Sequence, residues 1–147
     1  MDNKQKPVSS QLLHAGMQVS LLRMKVNGNS MLPFLRDGDS VLVTHCEQAS
    51  LKLGDVVIIR QENNFVTHRL VFVKDDQYIL KGDHSLYLDP PVVFSDLIGV
   101  VVGRIHGSEL VSYQTPKWKW INKVLGKVDY LEGSLVALIK RIIKRKS

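Results

Sequence analysis

The pattern of apolar and polar positions predicts short β-strands over most of the chain. Apolar residues fall in brief runs that are rich in β-branched side chains and are separated by turn-forming Gly, Asn and Asp. The predicted strands cover residues 21–26, 41–44, 56–60, 65–73, 78–80, 97–105 and 109–113. Such short strands with regular turn signals favour a coiled, barrel-like antiparallel β-domain, and the strands up to residue 80 read as a meander.

The spacing of the apolar residues changes after Pro116. Apolar residues recur there every three or four positions with Lys and Arg between them, which predicts a basic amphipathic helix or helix pair over 117–147. Gly126 and Gly133 are expected to break or bend this segment.

A short helix is also predicted over residues 8–15, near the N-terminus. Ser9 and Ser10 are suitable N-caps, and Gly16 is a suitable stop.

Length and charge divide the chain into a body and a tail. The 147 residues are enough for one ordinary domain, assigned here to residues 1–116, with residues 117–147 as a helical tail. The body carries 11 Lys and Arg against 12 Asp and Glu, whereas the tail carries 9 against 2. The net charge of +6 is therefore located in the tail.

Neither a secretory signal nor a membrane-spanning helix is expected from the sequence. The first residues lack the apolar region of a secretory signal, and no run of apolar residues is long enough for a spanning helix. The single cysteine, Cys46, cannot form an internal disulfide. We expect a cytoplasmic active site.

One tight turn displays a serine. Gly28 precedes Ser30 by two residues and Pro33 follows it by three, and both flanking residue types interrupt regular structure. Such a hydroxyl can act as a nucleophile if a base lies within hydrogen-bond reach, or it can simply close the turn. The choice depends on partners elsewhere in the chain.

The candidate base is a histidine. His68 lies in an otherwise apolar strand, either as a paired imidazole or as an ordinary half-exposed strand residue, and His84 is its nearest rival. His45, Cys46 and His84 lack the ligand spacing of a zinc site. No metal or cofactor is expected.

Two carboxylates could orient a base imidazole. Asp83 and Asp89 both lie in the irregular segment that follows residue 81. A carboxylate beside a histidine fixes its tautomer and stabilises its protonated form. Turn formation is the alternative for both, because Gly-Asp and Asp-Pro are common turn dipeptides.

The order of these motifs resembles that of the S24/S26 peptidases, the clan of type I signal peptidases and LexA-like self-cleaving repressors. Small members with a histidine base are the most similar. The motifs that carry the resemblance are Gly28-x-Ser30-Met31-x-Pro33, Gly38-Asp39, Gly54-Asp55-Val56-Val57, His68-Arg69, Lys81-Gly82-Asp83, Asp89 and Gly99-x-Val101.

The resemblance implies a LexA- or signal-peptidase-like β fold and a serine endopeptidase that acts on a peptide or protein precursor. Ser30 would be the nucleophile, His68 the general base and Asp89 the third member, with Asp83 in support. A protein that keeps this fold but only binds peptides, or assists their maturation, is the alternative.

The resemblance also bears on the oxyanion hole and the substrate. Gly28 stands where some bacterial signal peptidases have a hydroxyl side chain, so the hole would consist of backbone N–H groups around Gly28, Asn29 and Ser30. The peptide or preprotein substrate is expected to bind as an added β-strand.

The basic tail leaves two interpretations open. Its apolar face could lie on a membrane surface as a peripheral contact through 117–147, or it could pack on the β-body. Nucleic acid is a less favoured partner, because the segment is amphipathic and lacks aromatic residues arranged for base stacking.

Overall fold

A computed structural model describes residues 20–145, which form one antiparallel β-sheet and one long helix. The elements are β1 (Leu21–Lys25), β2 (Ser40–Thr44), β3 (Val56–Gln61), β4 (Asn64–Lys74), β5 (Gln77–Lys81), β6 (Val92–Val93), β7 (Leu97–His106), β8 (Glu109–Ser112) and α1 (Pro116–Arg145). The predicted mainly β class is confirmed. The helix predicted over residues 8–15 lies outside the described residues.

The sheet has the order β1-β2-β7-β3-β4-β5-β6, and β8 pairs with β7. Strands β3, β4 and β5 form the predicted meander through two tight turns. The meander prediction is wrong for β2 and β3, because β7 lies between these strands and pairs with both. The two-residue β6 was not predicted, since so short a segment carries no alternation.

Strand β3 lies at the centre of the core. Val56 and Ile58 point into one apolar cluster, and Val57 and Ile59 point into a second cluster on the opposite face of the sheet. Successive side chains of a strand alternate between faces, so a strand covered on both sides must be apolar throughout. This explains the unbroken β-branched run in the sequence.

Helix α1 is continuous from Pro116 to Arg145, so the prediction that its glycines break it is wrong. A Cβ on Gly126 would lie 2.7 Å from the Gly54 backbone, and a Cβ on Gly133 would lie 2.6 Å from Leu88. Both glycines are thus points of close approach between the helix and the β-body. Within residues 20–145, no helix is both long and apolar enough to cross a bilayer.

Candidate active site

Ser30 lies in a closed loop between β1 and β2. The Val26 N–H donates to the Asp39 carbonyl at 2.8 Å, and the Gly38 N–H donates back to the Val26 carbonyl at 3.0 Å. Met31, directly after the serine, is buried in the core. With the loop closed at its base and anchored by this side chain, Ser30 itself remains exposed.

His68 contacts the serine from strand β4. Its Nε2 atom lies 3.1 Å from the Ser30 Oγ atom, and its side chain is only 13% exposed. The strand carries the histidine opposite Val57 of β3, which is fully buried. The imidazole is therefore placed by the sheet rather than by a loop.

Asp89 contacts the other nitrogen of the same ring. The His68 Nδ1 atom hydrogen-bonds to the Asp89 Oδ2 atom, and the Asp89 backbone N–H donates to the Leu80 carbonyl at 2.8 Å. An Nδ1–H that donates to a carboxylate leaves Nε2 unprotonated and able to accept a proton from the serine hydroxyl. The structure thus brings together Ser30, His68 and Asp89.

Asp83 does not contact the histidine. Both of its carboxylate oxygens accept hydrogen bonds from Arg69, at 2.8 Å from Nε and 2.7 Å from NH2. This bidentate pair is almost fully buried. Because Arg69 directly follows His68, Asp83 helps to position the histidine through the backbone of β4.

Gly82 fits tightly between the serine and the histidine. A Cβ at this position would lie 2.7 Å from the Ser30 carbonyl oxygen and 3.1 Å from the His68 Nε2 atom. The His84 backbone N–H donates to the same Ser30 carbonyl at 2.9 Å. The loop after β5 therefore fixes the backbone of the serine turn, and it leaves no room for a side chain.

The serine turn leaves backbone donors available. In the portion of the chain that the structure describes, the N–H groups of Asn29 and Ser30 have no hydrogen-bond acceptor. Gly28 adopts φ +84°, a conformation that favours glycine, and its N–H donates to the Asp37 carboxylate at 2.8 Å. Of the three N–H groups predicted for the oxyanion hole, those of Asn29 and Ser30 thus have no acceptor among the described residues, and that of Gly28 is bonded to Asp37 within the loop.

A buried network of charges joins the site to α1. Lys81 Nζ lies 2.8 Å from the Asp129 carboxylate and 2.9 Å from that of Glu132, and Arg69 donates to the Asn122 side chain at 2.9 Å. Sequence reasoning missed this network. A signal existed, because Asp129 and Glu132 are the only acidic residues in the basic tail.

The pKa values within this network are shifted by burial and by pairing. Burial alone would lower the pKa of Lys81, but hydrogen bonds to Asp129 and Glu132 outweigh it and raise that pKa above its usual value. Burial raises the pKa of Asp129, and the nearby Asp83 raises it further against the opposing effect of Lys81. The lysine is held firmly in its charged form.

His84 contacts the site through its backbone N–H, and the other candidate residues lie apart from it. His45 and His84 are exposed and Cys46 is buried, and within residues 20–145 they form no three-ligand cluster. His106 pairs with the buried Asp39 carboxylate.

The fold agrees with the comparison with known families. The model of the Peptidase S24-like family matches residues 2–102, and the chain belongs to this family. The matched range contains Ser30, His68 and Asp89. No curated protein was found to match the chain.

Proposed function

We propose that this protein is a serine endopeptidase that cleaves a peptide or protein precursor through an acyl-enzyme on Ser30. The observation that carries the proposal is the continuous chain of contacts from the Ser30 hydroxyl to His68, at 3.1 Å, and from His68 to Asp89. A serine is a weak nucleophile on its own, and it becomes effective when a neighbouring base takes its proton.

Each side chain has one role in the proposed reaction. His68 Nε2 accepts the Ser30 proton as the oxygen attacks the substrate carbonyl, and Asp89 stabilises the imidazolium that forms. His68 then protonates the leaving amine. Water, activated by the same imidazole, hydrolyses the acyl-enzyme and regenerates Ser30.

The backbone of the serine turn supports the developing negative charge. The N–H groups of Asn29 and Ser30, which have no acceptor among residues 20–145, are donors available to an oxyanion next to the Ser30 hydroxyl. A single donor of this kind contributes about 10²–10³-fold to the rate in well-studied serine proteases. No side-chain donor is available two residues before the serine, where Gly28 stands.

A lysine base of the kind found in bacterial signal peptidases is disfavoured here. Lys81 is the buried lysine nearest the site in sequence, and it is paired with the carboxylates of Asp129 and Glu132. These contacts raise its pKa, whereas a lysine base needs a lowered pKa. His68 is the better-placed proton acceptor.

Two unpaired strand edges support binding of the substrate as an added strand. Among the described strands, β1 pairs only with β2, and residues 64–68 of β4 pair only with β3, because β5 joins β4 from Arg69 onward. The first edge leads to the serine turn and the second ends at His68. An extended peptide could take its main-chain hydrogen bonds from these edges.

Cleavage of a peptide library by purified variants tests the proposal. We expect Ser30→Ala and His68→Ala to lower kcat/KM by about 10⁴-fold or more. Ser108→Ala and His45→Ala are matched controls at exposed positions outside the triad, and they should retain the wild-type rate. Cleavage by Ser30→Ala at the wild-type rate would overturn the proposal. Binding of library peptides without cleavage by any form would favour the peptide-binding alternative.

A further inference from the structure

Helix α1 is apolar on two faces rather than one, because it packs Trp118 against the core and also exposes large apolar side chains. Its buried face carries Asp129 and Asn122, which bind Lys81 and Arg69 of the β-body. Its exposed face carries large apolar side chains, namely Trp120, Val124, Val128, Leu131, Leu135 and Leu138, here called the apolar stripe. Trp120 and Leu131 are each 67% exposed.

The stripe is a continuous feature. At 100° per residue its six side chains fall within an arc of about 80° and extend over about 27 Å of helix. A helix on the surface of a water-soluble protein normally directs such a stripe toward the core. Exposed patches of this kind mark sites of interaction.

The β-body cannot cover the stripe, because α1 is held by its opposite face. Gly126 packs against Gly54, and Gly133 packs against Leu88, with no space for even a Cβ. The Lys81–Asp129 pair is also buried in this contact. Rotating the helix to bury its apolar side chains would break all three contacts and leave charged groups buried without partners, which is strongly destabilising.

The charges around the stripe identify its partner. The only two acidic residues of the tail both pair with Lys81, Asp129 as a buried carboxylate and Glu132 as one whose side chain is 44% exposed. Apart from Glu132, the exposed charged side chains of the described helix are all basic, namely Lys117, Lys119, Lys123, Lys127, Lys140, Arg141 and Lys144. By helical geometry Lys127 lies about 20° from the edge of the stripe, and Lys123 and Arg141 lie about 60° from it.

We infer that α1 docks on an anionic lipid bilayer, in the plane of the headgroups, through this apolar stripe. Apolar side chains would enter the boundary between headgroups and acyl chains, and the flanking lysines would contact the lipid phosphates. Trp120 suits this position, because its ring has an apolar body and one polar N–H. A second copy of the chain is a poorer partner, since pairing two such faces would bring basic rows together.

Docking would also place the proposed catalytic site close to the lipid surface. A cleft of about 520 Å³ separates α1 from β4 and β5, and its lining includes Leu138 of the stripe, Arg141 and Asp89. A docked helix would therefore hold the His68–Asp89 side of the site near the headgroups. The docking itself does not depend on the proposed peptidase activity.

Co-sedimentation of the full-length protein with vesicles tests this inference. One set contains phosphatidylcholine alone, and the other also contains phosphatidylglycerol. We expect at least about tenfold stronger partitioning to the anionic vesicles. The double variant Leu131→Glu/Leu135→Glu should lose this binding. The matched control Val73→Glu/Leu110→Glu replaces exposed apolar residues on β4 and β8 and should bind like the wild type.

A charge variant measures what the basic residues beside the stripe contribute to lipid docking. Lys123→Gln/Lys127→Gln should weaken binding to anionic vesicles by about thirtyfold. Thermal melts verify that every variant is folded, as expected for substitutions at exposed positions. Three results would overturn the inference: no sedimentation with anionic vesicles, undiminished binding by the stripe variant, or a stable dimer in solution that the stripe variant dissociates.

Discussion

The three side chains of the candidate site meet because a neighbouring residue fixes each one. Met31 anchors the serine turn in the core, and Arg69 fixes the middle of β4 beside His68. The Asp89 backbone is held by the Leu80 carbonyl. The precision of the site therefore comes from buried residues adjacent to the exposed ones.

The choice between two carboxylates shows what the sequence could not predict at the residue scale. Asp83 and Asp89 lie in the same irregular loop, and no periodicity distinguishes them. Arg69 decides between them in three dimensions, because its guanidinium takes both oxygens of Asp83 and leaves Asp89 for His68. The resemblance named Asp89 as the third member, but nothing in the residues themselves distinguished it from Asp83.

Gly82→Ala tests how closely the site is packed. The added Cβ would lie 2.7 Å from the Ser30 carbonyl and 3.1 Å from His68 Nε2, so Ser30 and His68 must move apart. A displacement of about 1 Å costs about 10²-fold in rate, and we expect kcat/KM to fall by about that factor. Steady-state kinetics on a library-derived peptide measure the effect.

Gly107→Ala is the matched control for this substitution. Gly107 has φ +57° and open space around it in the turn between β7 and β8, so alanine there is strained without touching the site. It should lower the melting temperature but leave kcat/KM unchanged. Full activity of Gly82→Ala would contradict the described packing of Ser30 against His68.

At the scale of elements, the loop that carries Ser30 depends on Asp39. The carboxylate of this buried residue accepts a hydrogen bond from the Arg36 N–H at 2.9 Å and pairs with His106, while its carbonyl closes the loop at Val26. Burial alone would raise the pKa of Asp39. The Arg36 N–H, His106 and the nearby Arg104 outweigh burial and lower it.

Asp39→Asn should therefore cost more stability at neutral pH than in acid. Because the folded-state pKa lies below the unfolded value of about 3.9, the charged carboxylate stabilises the fold above about pH 4, and this is lost as the pH falls through the folded pKa. We expect a loss of about 1.5–3 kcal/mol at pH 7. Urea unfolding of both proteins at pH 7 and pH 3 measures the difference.

The acidic sample provides the critical comparison for this substitution. The gap between Asp39→Asn and the wild type should narrow at pH 3. A gap that stays constant or widens toward acid would show that the carboxylate is not stabilised in its charged form.

The glycines of α1 show why an element can be predicted while its packing cannot. The three-to-four spacing of apolar residues correctly predicted a helix after Pro116. Glycine lowers helix propensity, so Gly126 and Gly133 were expected to interrupt it. Tertiary contact with Gly54 and Leu88 overrides that preference, since only glycine allows the helix to come so close.

At the scale of the whole molecule, local pattern predicted the strands but not their order. The apolar run at β3 indicates a strand buried on both faces, and the structure places it between β7 and β4. Strand β7 begins more than 30 residues after the end of β3, yet it lies between β2 and β3. Its pairings with these strands are therefore long-range. No property of the local sequence encodes such a partner.

The contacts between α1 and the β-body could not be predicted from the sequence either. Periodicity identified an apolar face and a basic face, and packing of the apolar face on the β-body was one of the two interpretations. The structure does pack an apolar side chain of α1, Trp118, on the β-body. It also places Asn122 and Asp129 there, beside the buried cations Arg69 and Lys81, and it leaves the apolar stripe exposed. One buried network thus connects the proposed peptidase site to the inward face of α1.

Trapping of the acyl-enzyme tests the central claim most directly. A peptide that the wild type cleaves is incubated with hydroxylamine, which attacks an ester on Ser30 in competition with water. We predict that mass spectrometry will detect a C-terminal hydroxamate on the N-terminal fragment with wild type, and none with Ser30→Ala. Wild-type cleavage that yields only the free carboxylate, or cleavage that persists in Ser30→Ala, would contradict the proposed role of Ser30.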